Sequence, residues 1–519
     1  MENREIELKL RIAPEDVARL KRHPLIRSLS VGRSITQNLN SVYFDTPKLA
    51  LLGRDVTLRV RRIGSKHVQT VKTGSVRQLG LFRRGEVEQS IAGEAPEIDK
   101  IADPALRALV AKSDIAAKLR PIFDTEVKRV RRRLTQGKGE IALDIDVGVI
   151  RTAKASTPIC EIELELMAGE PDQLFDLVRR LSADVPMRLG TASKAARGFA
   201  LYAGAPNEPA RAAPVVLGPA PSAEQAMIAI VRACFDHLVA NETAVVEAQH
   251  TEGVHQMRVA LRRLRSALSL SRSLLPGDSA AGVKTEANWM AGELADARNW
   301  DVFQDEVLAP VLPRFPNHSG MAGLEAAAER ARLAGYRRAL AAIATPRYGA
   351  LLLRGAAWLE ERPWRKDTAA AALDQPASPF AATELTRRHR KAIKLGRSIS
   401  TADAEALHRL RIQLKKLRYT CEFFRDLFPN KSTKAYIANL AKLQDVLGTL
   451  NDVEVARTLL DSLLKRVAGE PGGPERAGEL QNATGLVAGW HVHTADRRAR
   501  KLDDLWQVFK GTRPFWPPA

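Results

Sequence analysis

The stretch Glu5-Ile6-Glu7-Leu8-Lys9-Leu10 alternates charge with hydrocarbon at every step. In an extended chain alternate residues share a face, so Glu5, Glu7 and Lys9 point one way and Ile6, Leu8 and Leu10 the other. Alone, this is an ordinary half-buried strand with its charges in water. The pattern then recurs. Arg59 and Arg61 share a face, as do Thr70 and Lys72, then Arg84, Glu86 and Glu88, then Asp144 and Asp146, then Glu161, Glu163 and Glu165. A sheet closed on itself would place these mixed-charge faces inside and its apolar faces against outer helices. Acids gathered there would bind hard divalent cations through oxygen. The basic groups would hold phosphate oxygens.

Period-two alternation predicts strands at 4–11, 41–45, 56–63, 67–73, 84–91, 124–132, 140–147 and 160–167. Helices are expected at 14–22, 103–113 and 171–182. Residues 203–222, rich in Pro, Ala and Gly, read as a linker. Beyond it the pattern is almost wholly helical. The organisation expected is therefore a β-rich domain at 1–202, a linker at 203–222 and a helical domain at 223–516. The tail from Trp490 to Phe515 reads as one long basic amphipathic helix.

The helical part repeats itself. His255-Gln-Met-Arg258, followed by Arg262-Arg263-Leu-Arg265, returns 153 positions later as His408-Arg-Leu-Arg411, followed by Lys415-Lys416-Leu-Arg418. The register persists to Val302 and Val455, which implies two copies of one helical unit, 223–365 and 380–515. On a helix His255, Arg258, Arg262 and Arg265 form one stripe, and Met257, Leu261, Leu264 and Leu268 the opposing one. His408, Arg411, Lys415 and Arg418 do the same in the second copy, and Arg263 and Lys416 flank the two rows. Rows of cations suit a polyanion. Neither His has a second His or an acid at i+4 on its stripe, so both read as phosphate hydrogen-bond donors or structural residues, not metal ligands.

The bulk numbers agree with an anionic partner. The 519 residues carry a formal charge of +20 and a pI near 10.0. Charge alone does not choose between nucleic acid, an anionic membrane and a condensed phosphate. The basic stripes lack interleaved aromatic residues for base stacking, which disfavours nucleic acid. Three cysteines, Cys160, Cys234 and Cys421, form no CxxC, so neither a disulfide framework nor a zinc site of usual spacing is expected. No signal peptide or membrane-spanning run is visible, and a cytoplasmic location is expected.

At this point the residues resemble known families. Glu5-Ile-Glu7-Leu-Lys9 is similar to the ExExK signature of the CYTH family, the triphosphate tunnel metalloenzymes. Tyr43-Phe-Asp45-Thr46, Leu58-Arg-Val-Arg61, Gln69-Thr-Val-Lys72, Arg84-Gly-Glu86-Val-Glu88, Asp146-Val-Gly148, Glu161-Ile-Glu-Leu-Glu165 and Ser193-Lys194-Ala-Ala-Arg197-Gly198 resemble it in the same order. The resemblance implies an eight-stranded antiparallel β tunnel with outer helices, hydrolysing inorganic triphosphate with Mg²⁺ or Mn²⁺. It implies metal ligands Glu5, Glu7, Asp146, Glu161 and Glu163. It implies phosphate contacts from Lys9, Arg59, Arg61, Lys72, Arg84, Arg129 and Lys194, with Glu5, Glu7 and Lys9 central to catalysis. Glu165 reads as a neighbour of the ligands, and Asp144 ranks below Asp146. Adenylate cyclases and nucleotide-directed hydrolases share the family, but no stacking aromatic is evident among the inward positions.

The repeat resembles the CHAD domain, including Leu294-Ala-Asp-Ala-Arg298-Asn-Trp-Asp301-Val and Arg513-Pro-Phe-Trp516. Asn299 stands where that family more often has Asp. The resemblance implies two helical bundles related by a pseudo-twofold axis, with a basic groove that binds inorganic polyphosphate. His255, Arg258, Arg262, Arg263, Arg265, His408, Arg411, Lys415, Lys416 and Arg418 are the candidate contacts, and association with polyphosphate granules is expected. The alternative reading is a polyphosphate-binding or targeting protein with little catalysis.

Overall fold

The computed structural model describes residues 5–204, 208–275, 279–366, 370–398, 403–429, 431–470 and 473–518; side chains 5, 74–78, 83–86, 366, 370, 404, 496 and 498 fall outside that description. The expectations for the side chains of Glu5, Arg84 and Glu86 therefore lie outside the described residues. The chain divides into two compact units: residues 1–208 with 344–362, and residues 209–343 with 363–519.

The first unit is built on β1 (Glu5–Ile12), β2 (Ser30–Asp45), β3 (Val56–Ile63), β4 (Lys66–Gln78), β5 (Leu81–Ile91), β6 (Arg120–Gln136), β7 (Gly139–Arg151), β8 (Ser156–Ala168) and β9 (Met187–Leu189). Their order is β5-β4-β3-β2-β6-β7-β8-β1-β9, and β1 also pairs with β5. Eight antiparallel strands thus close into a ring, as the alternating charge pattern requires. Directly opposed residues share a face. The register sets Lys9 opposite Glu163, Asp146 opposite Glu161, and Arg129 opposite Asp146. One charged layer therefore passes from strand to strand inside the ring. The other face carries the core: Leu58, Val60 and Val71 pack with Ile101, which follows the turn Ile98–Lys100, and with Val110 and Ile115 from the short outer helices Pro104–Val110 and Ser113–Ala116.

The strands run longer than the alternation indicates. β2 begins at Ser30, because its first half (Ser-Val-Gly-Arg-Ser-Ile-Thr-Gln) is mostly exposed and carries no apolar face to read. β9 has three residues, too few to show a period.

The second unit is helical. The basic repeats lie on the helices Thr251–Ser271 and Ala404–Phe424. The copies then diverge. The first continues as Ala281–Glu293, Ala295–Val302 and a π-helical turn at Phe303–Leu308, whereas the second runs without a break from Lys431 to Ala468. Trp300, Phe303, Leu324, Leu460 and Val487 belong to one core cluster that draws on both copies. The tail is not one helix: Gly473–Ala499 ends before a separate helix, Leu502–Gly511. Part of the Pro/Ala-rich stretch is pinned to this unit. Ala210 exchanges hydrogen bonds with the Asn241 side chain, and the Leu217 N–H donates to Asp426 at 3.0 Å. Among the described residues no helix is long and apolar enough to cross a membrane.

One helix breaks the linear order. Pro346–Glu361 lies within the first repeat copy by sequence but packs in the first unit, against β9 and the helix Asp172–Leu181. Gly349 makes this possible, since a Cβ there would stand 2.5 Å from the Met187 carbonyl oxygen. β9 in turn pairs with β1 through Leu10, beside Lys9. Gly349→Leu should loosen this contact and cost about 1–3 kcal/mol, the usual range for overpacking. Faster amide hydrogen exchange at Met187–Leu189 in that variant checks it.

Candidate functional site

The ring interior is dominated by groups that neutralise one another. The Arg129 guanidinium donates from Nε to Asp146 Oδ1 at 2.8 Å and from Nη2 to Asp146 Oδ2 at 2.6 Å, and it also meets Asp144 and Glu163. Lys9 Nζ donates to Glu7 Oε1 at 2.8 Å and contacts Glu163. Lys194 Nζ stands 2.7 Å from Asp146 Oδ2, 2.5 Å from Glu161 Oε1 and 2.9 Å from Glu163 Oε1. Lys194 reaches this point because Ser193 caps its helix, Lys194–Ala203, and Gly198 lets that helix lie on Phe123; a Cβ at Gly198 would fall 2.1 Å from the ring.

Desolvation sets the electrostatic problem and the ion pairs answer it. Burial pushes the Glu163 carboxyl up, but Lys194, Lys9 and Arg129 outweigh it and hold it well below the usual carboxylate range. Asp146 also ends below its ordinary value, with burial opposed by Lys194 and Arg129. Glu7 goes the other way, raised by burial and then by Glu163. Across the ring cations gather, with the half-exposed Glu88 beside them at 3.3 Å from Arg59. Arg59 Nη2 donates to Thr70 Oγ1 at 2.9 Å, and Arg61 Nε to Ser41 Oγ at 3.1 Å. Burial and the neighbouring Arg59 lower Arg61 to about 10.

Asp146, Glu161 and Glu163 each offer an oxygen, all within 4.8 Å of one another, and all three are buried. That donor set fits a hard divalent cation. Of the expected ligands these three gather at one point, and Glu7 joins through Lys9 and Glu163. Of the expected phosphate contacts, Lys9, Arg129 and Lys194 meet these acids, while Arg59, Arg61 and Lys72 lie near Tyr43.

In the helical unit the two basic helices meet. Arg262 Nε lies 3.4 Å from the Tyr419 hydroxyl, which it reaches from the other copy. Arg258 donates to the Ala291 carbonyl at 2.8 Å. Burial, then Arg262 and Arg298, push Arg258 down to about 10. His255 falls to about 4, through burial and then Arg298. Lys415 falls to about 7, through burial and then Arg411 and Arg262. These shifts identify a half-buried surface crowded by cations. Arg265, Lys416 and His408 are exposed. Arg418 is tied to Glu422 at 2.8 Å and to Gln444.

Arg263 sits differently from its flanking place in the sequence. It is buried, with its guanidinium 5.4 Å from the centre of the Phe423 ring. It braces the two copies against each other from inside.

The CYTH family profile matches residues 3–199, and the CHAD family profile matches residues 229–461. The chain is a CYTH domain followed by a CHAD domain. An inorganic triphosphatase of Haemophilus influenzae is 30% identical over 205 residues, 39% of this chain. The match spans 56% of that relative, little more than half its length. An uncharacterized protein of Mycobacterium tuberculosis is 28% identical over 75% of this chain and 76% of its own. The crystal structure of the CHAD domain from the plant Ricinus communis covers 59% of this chain and 98% of its own, at 32% identity and a TM-score of 0.51.

The CYTH motif residues divide into chemistry and scaffolding. Asp45, fully buried, accepts from the backbone N–H groups of Thr46, Leu51 and Leu52, so it closes a loop. Asp144 is held by Arg131 through two hydrogen bonds of 2.7 Å, and the three-carboxylate group is Asp146, Glu161 and Glu163. Aromatics do reach the interior: Phe82, opposite Glu7, lies 5.4 Å below Lys9 Nζ, and Tyr43 is acted on by Arg59, Arg61, Lys72 and Lys194. Its ring stacks on Phe123 with centroids 4.4 Å apart, which covers that face. In the CHAD unit Arg298 is the missed cation, since its sequence neighbours suggest a packing motif. Glu161→Gln should weaken Mn²⁺ binding at least about tenfold, because a carboxylate ligand is lost at constant volume. Titration calorimetry on the full chain checks this.

Proposed function

We propose that the CYTH unit hydrolyses inorganic triphosphate and that the CHAD unit binds inorganic polyphosphate. The observation that carries the first part is the pairing, inside one ring, of a three-carboxylate site with a separate wall of cations. Asp146, Glu161 and Glu163 would hold Mg²⁺ or Mn²⁺, which supplies charge neutralisation at phosphate oxygens and activation of water. Arg59, Arg61 and Lys72 bind and orient the phosphates from the opposite side. Lys9 and Lys194 bridge the two zones, each able to exchange a carboxylate partner for a phosphate oxygen. Arg129 holds Asp146 and Glu163 in place. Such a site works by positioning and charge, as phosphoryl transfer requires, with no protein nucleophile. The inorganic triphosphatase of Haemophilus influenzae supports this choice of reaction.

Phosphate release in the presence of Mg²⁺ tests it. Triphosphate should exceed ATP in kcat/KM by at least about tenfold, because Tyr43 is already stacked on Phe123 and Phe82 lies under Lys9, which leaves adenine little to stack on. Comparable values, or cyclic AMP formed from ATP, would favour a nucleotide-directed enzyme.

The polyphosphate part rests on the cation-crowded surface around Arg258, Arg262, Arg411 and Lys415. Lys415, held near 7 in the free protein, is largely neutral above that pH. A phosphate beside it favours the ammonium form, so binding takes up a proton. Polyphosphate affinity should therefore fall as pH rises from 7 to 9. Lys415→Arg should flatten that slope, since a guanidinium stays charged throughout. A pH-independent affinity in the wild-type chain contradicts the contact.

A further inference from the structure

The two repeat copies share a register of 153 residues, yet they differ in charge where the segment after each basic helix returns to it. Arg298 in the first copy corresponds to Asn451 in the second, and Asn299 to Asp452. In the second copy both positions meet the basic stripe, and in the first Arg298 does. Arg298 acts electrostatically on His255 and on Arg258. In the second copy His408 Nδ1 lies 3.0 Å from Asn451 Oδ1, and Arg411 Nη2 lies 3.8 Å from Asp452 Oδ1. At these two positions the first copy adds a cation and the second adds an anion.

Acids stand near both copies: Glu252 acts on His255 and Asp296 on Arg258 in the first, and Asp452 acts on Arg411 and Lys415 in the second. Asp296 is engaged by Arg338 at 3.3 Å, and Glu252 accepts from Gln256 at 2.6 Å. Glu306 lies 3.8 Å from Arg298 but its side chain is 61% exposed, so water screens it. Asp452 lies at the same 3.8 Å from Arg411 and is 40% exposed, so what separates the copies is the residue pair itself: Arg298 and Asn299 against Asn451 and Asp452.

We propose that the groove is lopsided: His255, Arg258, Arg262 and Arg298 form its primary phosphate subsite, and Asp452 makes the second copy weaker by competing with phosphate for Arg411. This rests on the polyphosphate reading of the CHAD unit. It assigns Arg298 a ligand contact and gives Asn299 a role, since an acid there would quench the primary subsite as Asp452 does the other. The groove then seizes a polyanion at one end first, with the second copy extending the hold.

The test is equilibrium binding of long-chain polyphosphate of defined length to the full chain, with a chelator present so that divalent metal plays no part. Arg298→Gln and Asn299→Asp should each weaken binding about tenfold, as expected for a charged hydrogen bond lost or neutralised. Arg258→Gln should cost more than Arg411→Gln. Asp452→Asn should tighten binding, an outcome that a misfolded variant does not mimic. Equal losses at Arg258 and Arg411, with no effect of Asn299→Asp or Asp452→Asn, would overturn the lopsided groove while leaving polyphosphate binding intact. Absence of binding by the wild-type chain would overturn the polyphosphate reading and this proposal with it.

Discussion

Burying ionised groups is among the costliest things a chain does, and the CYTH unit buries Lys9, Arg129, Asp146, Glu161 and Lys194 in one interior. The ring is foldable because the strand register sets acid beside base at each step. Arg129 faces Asp146 across β6 and β7, and Lys9 faces Glu163 across β1 and β8. Shift one strand by a single residue and its charges go to the apolar face. The alternation along β1 is thus a folding constraint before it is a catalytic one. In the proposed reaction the same balance would let Lys9 and Lys194 trade a carboxylate partner for phosphate.

The CHAD unit treats charge in the opposite manner. Its stripes concentrate one sign, and the depressed values of Arg258, His255 and Lys415 record burial first and then repulsion by neighbouring cations. The hydrophobic stripes on the reverse of the same helices hold the cations together, with Met257, Leu261 and Leu264 buried in one copy and Leu410, Leu414 and Leu417 in the other. Arg263 adds to that hold from within, stacked on Phe423. A polyanion lying along the stripes would relieve that repulsion, which is the physical basis of the proposed polyphosphate contact.

Much of this was legible in the sequence, for a physical reason. Period-two alternation reports which face a strand buries, and β3 was delimited by it at both ends. The repeat register located the helices Thr251–Ser271 and Ala404–Phe424. What escaped were features that depend on distant contacts. The polar half of β2 has no apolar face to betray it. Arg263 looks like one more cation until Phe423 arrives from the second copy. The placement of Pro346–Glu361 depends on the fit of Gly349 over Met187, which no local pattern encodes. Tyr43 reads as a core aromatic, and only the register opposite Arg59 turns its hydroxyl toward cations.

The central claim is that Asp146, Glu161 and Glu163 form the metal site of the ring and that Lys194 leaves them for phosphate. The most direct measurement is anomalous diffraction from crystals of the full chain grown with Mn²⁺ and a non-hydrolysable triphosphate analogue. The account predicts a manganese peak among those three carboxylates, with Lys194 Nζ moved onto the analogue. Manganese bound elsewhere in the ring, with Lys194 still held by the three acids, would contradict it.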